Sequence, residues 1–549
     1  MGKMSRSCPS YYRGRREAPL HASSSSESRS LLFPSTYSSL IFENQQESAS
    51  RSDLSSSMVH IVMFPYMGHG HFNPFVALAE LILRHHPSCT ITIVGTPLNV
   101  ANLRSMLPPS PPVRLAALPF DPSAHGLPPH AESNSDLNYQ LRIRLNFGSR
   151  ALRPALESLL LDLISSDGDG SNPICLIADQ FFGWTVDVAR RLGIFHTLFY
   201  TCSAHGIVTY ISLWRHLPHT KTDEDEFALP DFPHVRLHRT QLSRIAMSAT
   251  GSDPWSVFYG EELTMNLAAD GVLVNTVEEM EPEGVDRLRS MFQGKPVWCI
   301  GPVLPSSFLA VDSRSSKQER LGKVAMVSSE DCSKWLDIHP RGSVLYVSFG
   351  SQHNISASQM RQLAMGLEES GVTFIWVVRP PVEFSPEEEF RSSEWLTEGF
   401  EERMMETKRG LVVRNWAPQL TILSHESTGG FLSHCGWNSL LESFMCGVPI
   451  IGWPVAAEQF YNSEMVVEQI GAGVELARGN QEEVRKEEVA RVAKLVMGDT
   501  VKRKEVRKKA GEVREMLRGA WRKQEHGSGL GPSLSSLNDF IETIFTGKE

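Results

Sequence analysis

Short apolar runs rich in β-branched residues recur along the chain at strand length, and most are separated by stretches whose apolar positions repeat with a helical period. The first series is VHIVMFP (59–65), CTITIVGT (89–96), VRLAALPF (113–120), ICLIAD (174–179), HTLFYT (196–201) and GVLVNT (271–276). After the first run comes a Gly/His turn, and then a helical pattern from Phe72 to about His86. Strands that are apolar throughout, with helices between them, predict a parallel sheet covered on both faces.

The pattern stops at Cys299-Ile-Gly-Pro and gives way to a polar, Ser-rich stretch over about 305–330. A second series follows: SVLYVSFG (343–350), a helix over about 356–370, TFIWVVR (373–379), GLVVRNW (410–416), GGFLSH (429–434), VPIIGWP (448–454) and GAGVEL (471–476). An acidic loop surrounds Glu387 to Glu389, and the charged region 486–524 reads as two solvated helices. The expected fold class is therefore α/β, with two open parallel sheets in series. The expected divisions are 58–304, a linker at 305–340, 341–524, and a tail helix in 525–549 packing back on the first domain. Open α/β sheets bind ligands at the carboxyl ends of their strands, so two facing sheets make a cleft.

Composition narrows the function classes. A length of 549 residues suits two cores. A formal net charge of −10 argues against nucleic acid as a partner. The eight cysteines are scattered without C-x-x-C or zinc-like spacing, which fits a reducing compartment. No apolar run reaches the roughly 18 to 20 residues of a membrane span, so no transmembrane segment is expected. Residues 1–57 are Ser-rich and carry Arg6, Arg13, Arg15, Arg16, Arg29 and Arg51. They read as disordered, with two origins open: a transit-like leader, which would direct the chain to a plastid, or an untargeted tail from a start upstream of Met58. The second reading leaves the protein cytoplasmic. No G-x-G-x-x-G follows either first strand and no Walker A sequence occurs, which lowers the case for nicotinamide, flavin or nucleoside-triphosphate chemistry.

Chemistry-bearing residues concentrate in 416–459, WAPQLTILSHESTGGFLSHCGWNSLLESFMCGVPIIGWPVAAEQ. His434 to Glu442 ends a strand and opens a helix. Its free N–H groups, with His434, Asn438 and Ser439, make an anion site. Ser439-Leu-Leu-Glu442 is equally a capping box that satisfies the helix end by itself. Gly350-Ser351 allows close approach to a diphosphate, or is an ordinary turn. Trp416 is a stacking platform or a core side chain. In the first series, Gly68-His69-Gly70-His71 follows strand one and Asp179 closes ICLIAD. Both lie at the same sheet edge, so His71 is a candidate base with Asp179 as its orienting carboxylate. Asp167-Gly-Asp169 matches a D-x-D metal pattern but sits in a Ser/Gly/Asn/Pro loop, and no metal role is assigned to it. Asp223 to Glu226 reads as a solvated loop.

With these residues in view, the chain resembles the plant UDP-sugar-dependent glycosyltransferases that act on small molecules. Residues 416–459 are similar to that family's signature over its full length, and FPYMGHGHFNP (64–74), IADQFFGW (177–184), ADGVLVNTVEEMEP (269–282), IGPVLP (300–305) and VLYVSFGS (344–351) carry the likeness across the chain after Met58. The resemblance implies a GT-B fold with the acceptor in the first domain and the UDP-sugar in the second. It implies that Trp416 stacks on uracil, that the Ala417 backbone reads its edge, and that Gln419 and Glu442 bind ribose. His434, Asn438, Ser439 and Ser351 would hold the diphosphate. Trp437, Glu458 and Gln459 would hold the sugar, with Thr201 reaching across, and His71 with Asp179 would be the catalytic pair.

The implied reaction is inverting, metal-independent transfer to a hydroxyl, with no cofactor beyond the UDP-sugar co-substrate. Gln459 favours glucose, since relatives that prefer galactose often carry His there. His69 stands where Gln is common, placing a second imidazole beside the proposed base, and Thr397 stands where Pro is usual. Two other classes stay open: a nucleotide-sugar-binding relative without transferase activity, and an NDP-sugar epimerase of the same fold. The loops 138–147, 204–214 and 252–264 are expected to wall an apolar pocket for a hydroxylated lipophilic acceptor, in a monomer.

Overall fold

The protein is seen here as a computed structural model that describes residues 59–546 apart from 108–112, 167–171, 306–307, 309–326, 353, 386–387, 481–482 and 523–528. The N-terminal extension, the Asp167-Gly-Asp169 motif, most of the Ser-rich linker and the side chain of His69 lie outside the described residues.

The first apolar series forms β1 (His60–Phe64), β2 (Thr90–Gly95), β3 (Arg114–Ala117), β4 (Ile174–Asp179), β5 (Phe195–Tyr200), β8 (Gly271–Val274) and β9 (Val297–Cys299). They make one sheet in the order β3-β2-β1-β4-β5-β8-β9. Every pairing in it is parallel. The inner strands are buried nearly end to end, which is why they read as continuous apolar runs rather than alternating ones. A two-stranded antiparallel hairpin, β6 (Glu226–Leu229) and β7 (Phe232–His238), is inserted before β8.

The second series forms β10 (Val344–Ser348), β11 (Thr373–Val378), β12 (Gly410–Arg414), β13 (Thr428–Ser433), β14 (Ile450–Gly452) and β15 (Gly473–Glu475). Their order is β12-β11-β10-β13-β14-β15, again all parallel, the doubly wound arrangement of dinucleotide-binding sheets. In each sheet the strand order reverses beside the first strand. The crevices therefore open between β1 and β4 in one sheet and between β10 and β13 in the other. These are the places where loops can part to admit a ligand.

Four expectations need correction. The stretches 138–147, 204–214 and 252–264, expected as loops, are largely the helices Tyr139–Gly148, Ala204–His216 and Pro254–Asn266. The first helix runs from His69 to His85, so His71 stands in a helical first turn rather than in a loop. The strand β9 and the hairpin were not anticipated, and Glu226 begins β6 instead of ending a solvated loop. The helices Lys486–Met497 and Val501–Gly519 exist, but they are not merely solvated. Val489, Val492 and Val496 of the first and Val506, Val513 and Leu517 of the second are buried, so each lays one apolar stripe on the core.

At the C-terminal end, the helix Pro532–Thr546 lies against β9. The Trp298 indole N–H donates to Asp539 Oδ2 at 2.7 Å, and its ring meets Phe540 edge-on at 5.1 Å. Among the described residues no helix is long and apolar enough to cross a membrane.

Candidate active site

The two residues nominated for proton transfer meet at the first crevice. β1 and β4 are neighbours, with Phe64 level with Ala178, so the turn leaving β1 and the end of β4 converge. His71 Nδ1 lies 2.7 Å from Asp179 Oδ2. The Phe181 backbone N–H donates to the other carboxylate oxygen at 3.1 Å, which fixes the Asp179 side chain. Asp179 is fully buried, whereas the His71 side chain keeps 15% of its surface and so remains within a substrate's reach. With Nδ1 turned to the carboxylate, Nε2 is the nitrogen left for an acceptor hydroxyl. Burial works to lower the His71 pKa, but the Asp179 charge and hydrogen bond, with a further contribution from Glu458, outweigh it and raise the imidazole above its ordinary value. Tyr66 and Phe181 pack against the imidazole at 5.2 and 5.5 Å between ring centroids.

Across the cleft, the second crevice is built around the helix Trp437–Met445. Its N-cap is Gly436 in an extended conformation, and no side chain caps it. Among the described residues no side chain caps the first-turn N–H groups, which stand at the positive end of the helix dipole. The capping-box reading of Ser439 and Glu442 is thus overturned. The helix begins two residues before Ser439, and both side chains are engaged elsewhere: the Gln419 amide N–H donates to Ser439 Oγ at 3.1 Å and to Glu442 Oε2 at 2.7 Å. The Tyr346 hydroxyl donates to Gln419 Oε1 at 3.2 Å, closing a buried polar chain along this helix.

Backbone conformation marks the same region. Asn415, Cys435 and Ala457 all have positive φ, at 59°, 62° and 51°. Such a conformation costs an L residue roughly 1–2 kcal/mol, and it gathers where the surrounding structure enforces a functional shape. Each of the three adjoins a nominated residue: Trp416, His434 and Glu458. The His434 ring sits between Gly350 and Gly436, and a Cβ at either position would collide with it.

The remaining nominated side chains divide between the cavity and the seam. Gln459 Oε1 accepts the backbone N–H groups of Val455 at 3.1 Å and Ala456 at 2.9 Å, so its amide nitrogen is the end left to donate. The half-buried Glu458 has its carboxyl pKa raised by burial, with His71 pulling in the opposite direction. Thr201 Oγ1 is 3.5 Å from His71 Nδ1, nearer the base than a residue reserved for the sugar. The Trp437 indole N–H donates to the Asn275 carbonyl at 2.6 Å, and Asn438 Nδ2 donates to the Gly70 carbonyl at 2.9 Å. These two bonds tie the helix to the loops of the first sheet, and Asn438 Nδ2 is thereby occupied.

A cavity of about 1040 Å³ joins the two crevices. Its lining includes His71, Thr201, Ser351, His434, Trp437, Asn438, Ser439, Glu458 and Gln459. Trp416, Ala417, Gln419 and Glu442 do not line it. Trp416 is half-buried, and the other three are buried. Three arginines that sequence reasoning missed do line it: Arg379, Arg142 and Arg244. Arg379, directly after β11, donates to the Ser351 carbonyl at 2.6 Å, and its pKa is pushed down by burial to about 10. A cation ending the apolar run TFIWVV was the available signal. Arg142, from the helix Tyr139–Gly148, donates to the Gln352 carbonyl at 3.3 Å, and only its place in the expected pocket wall 138–147 pointed to it. Among the described residues no group of three or more His, Cys, Asp or Glu is arranged to hold a metal ion.

Two Rossmann-like sheets whose switch points face one cavity, with a His–Asp pair on one side and an uncapped helix N terminus on the other, define a GT-B transferase for a nucleotide-linked group. Comparison with known proteins agrees. Residues 325–510 match the family model "UDP-glucoronosyl and UDP-glucosyl transferase". The chain is 42% identical to UDP-glycosyltransferase 92A1 of Arabidopsis thaliana over 496 residues, 89% of this chain and 98% of that one. It is 44% identical to crocetin glucosyltransferase 3 of Crocus sativus over 442 residues, 80% of this chain and 91% of that one. Among solved structures it is similar to Phytolacca americana UGT2 complexed with UDP-2fluoro-glucose and pterostilbene, at 29% identity and a TM-score of 0.68, covering 88% of this chain and 99% of that one. The chain belongs to the UDP-glycosyltransferase family, enzymes that move a sugar from a UDP-sugar to a small-molecule acceptor.

Proposed function

We propose that this chain is an inverting, metal-independent glucosyltransferase for a hydroxylated lipophilic metabolite. Residues 58–304 would bind the acceptor, residues 341–524 would hold UDP-glucose, and 305–340 would link them. The observation that carries this reading is the His71–Asp179 pair facing the uncapped Trp437–Met445 helix across one cavity. In the reaction, His71 Nε2 takes the acceptor hydroxyl proton as the oxygen forms its bond to the anomeric carbon. The bond from that carbon to the UDP oxygen breaks, and UDP leaves with the electron pair. Asp179 stabilises the imidazolium, while the helix N terminus and His434 stabilise the departing diphosphate.

Glucose is supported by Gln459, whose amide nitrogen is held ready to donate to a sugar hydroxyl, and by the glucose-type donor in the Phytolacca complex. A lipophilic acceptor is supported by the aromatic side of the cavity, by the crocetin in one relative's name and by the pterostilbene bound in the Phytolacca complex. The Trp416, Ala417, Gln419 and Glu442 group belongs to the donor site in this reading, with Gln419 and Glu442 already joined by a hydrogen bond. A cytoplasmic monomer is the accompanying expectation.

The deciding measurement is UDP release from UDP-glucose across a panel of hydroxylated metabolites. Release should depend on added acceptor and persist with excess EDTA. Release without acceptor together with sugar isomerisation would indicate the epimerase, and UDP-glucose binding without any release would indicate a binding protein. In competition, UDP-glucose should be consumed ahead of UDP-galactose by at least about tenfold, a preference of roughly 1.4 kcal/mol. Equal use would overturn the donor assignment.

A further inference from the structure

One fully buried amide joins the two sides of the cleft. Asn462 lies in the short helix Gln459–Glu464, one turn after Glu458, whose carbonyl accepts its backbone N–H at 3.0 Å. Its Nδ2 donates to the Cys435 carbonyl at 3.1 Å, and its Oδ1 accepts the Ser203 hydroxyl at 2.6 Å. The partners fix the orientation of the amide, because a carbonyl has no proton to give and so takes the nitrogen end. Ser203 is fully buried as well and caps the helix Ala204–His216, where its Oγ accepts the Gly206 N–H at 2.8 Å. Only glycine fits at that third position: a Cβ on Gly206 would stand 2.5 Å from Ser203 Oγ and 2.8 Å from Asn462 Oδ1. Neither Asn462 nor Ser203 lines the cavity.

Each partner of the amide adjoins the site. Cys435 has positive φ, follows His434 and precedes Gly436, the N-cap of the Trp437–Met445 helix. A left-handed residue between a strand and a helix keeps its conformation only through its surroundings, and a buried carbonyl stripped of its donor is costly. Asn462 supplies that donor. Ser203 follows Thr201 by two residues, and Thr201 Oγ1 lies 3.5 Å from His71 Nδ1. Resting on the sugar-transfer reading above, we propose that Asn462 is a positioning residue that couples the donor half of the site to the acceptor half. It holds the Cys435–Gly436 peptide in the shape that receives the UDP diphosphate, and it ties that shape to the Ser203 loop. A change at Ser203, in the first half of the chain and outside the cavity, therefore reaches UDP through Asn462.

Calorimetric UDP affinity and the KM for UDP-glucose test this, with thermal melting to confirm folding. Asn462→Leu matches the amide in shape and offers neither bond, so UDP affinity should fall about tenfold or more, the effect of leaving a buried carbonyl without its donor. KM for UDP-glucose should rise in step, with kcat affected less. Ser203→Ala should weaken UDP binding by about threefold or more, the size of one lost hydrogen bond. In the Asn462→Leu background, Ser203→Ala should add nothing, because its route to the diphosphate is already cut. A merely structural amide would lower the melting temperature of every variant and leave UDP affinity and KM at wild-type values, which overturns the proposal. A Ser203→Ala loss that multiplies the Asn462→Leu loss also overturns it, since the two residues would then act independently. Should Asn462→Leu fail to fold, Ser203→Ala decides, and unchanged UDP affinity in that variant overturns the proposal. Failure of the transferase reading itself looks different: the wild type would release no UDP with any acceptor, while the UDP affinities would still decide the role of Asn462.

Discussion

Replacing His71 with alanine is expected to lower acceptor-dependent UDP release by about 10²- to 10⁴-fold, the range a positioned general base supplies, while UDP still binds. The prediction rests on geometry. Nδ1 is committed to Asp179 at 2.7 Å, so Nε2 is the only basic nitrogen this side chain can offer to the cavity. Asp179→Asn should lose a large part of the same factor, because an amide leaves the imidazolium without a countercharge and permits the wrong tautomer.

The pH profile separates this role from a structural one. The base works when neutral, and its pKa is raised above the ordinary value by the Asp179 carboxylate against the opposing effect of burial. The acid limb of kcat/KM should therefore fall at a pH above the usual imidazole value of about 6.5. In Asp179→Asn the raising charge is gone, so that limb should move to lower pH. A limb that stays in place in Asp179→Asn, or full turnover in His71→Ala, would remove His71 from the mechanism.

How much of this could be read from the sequence follows from which forces act locally. Twelve strands of the two large sheets had a sequence signal, most of them because they are buried on both faces and leave unbroken apolar runs, as in ICLIAD and SVLYVSFG. Only three residues, VWC, make β9, too few for a periodic signal, and β7 is half exposed at an edge. The first helix was placed three residues late because His69-Gly70-His71 contributes no apolar periodicity, and its start is set by the extended Gly68.

The pairing of side chains was legible where one residue type carries the chemistry, as with His71 and Asp179. Where spacing alone was informative, two readings stayed open. Ser439 and Glu442 have capping-box spacing, but Gly436 starts the helix earlier and frees both for Gln419. What joins the two halves was not legible at all. Asn438 to Gly70 and Trp437 to Asn275 are contacts over 368 and 162 positions, created only when the sheets dock.

Within the second sheet β10 and β13 are neighbours, so a glycine at one strand end governs a histidine at the other, and the second large effect is expected there. His434→Ala should reduce kcat/KM for the UDP-sugar by about 10²- to 10³-fold, the usual consequence of removing one preorganised donor from a developing anion. Gly350→Ala should reproduce most of that loss without touching His434. Gly350 holds φ at +75°, and an added Cβ would enter the space of the His434 ring. The ring cannot retreat toward Gly436, where a side chain is likewise excluded, so it must rotate off the diphosphate position. Gly371→Ala provides the control. It also has positive φ, at +69°, but faces open space, so it should cost stability through backbone strain and leave UDP affinity at the wild-type value. Calorimetric UDP affinity for the three variants separates the cases. If Gly350→Ala binds UDP as tightly as Gly371→Ala does, His434 is not held in place by its glycine neighbours, and the anion site depends on the helix N terminus alone.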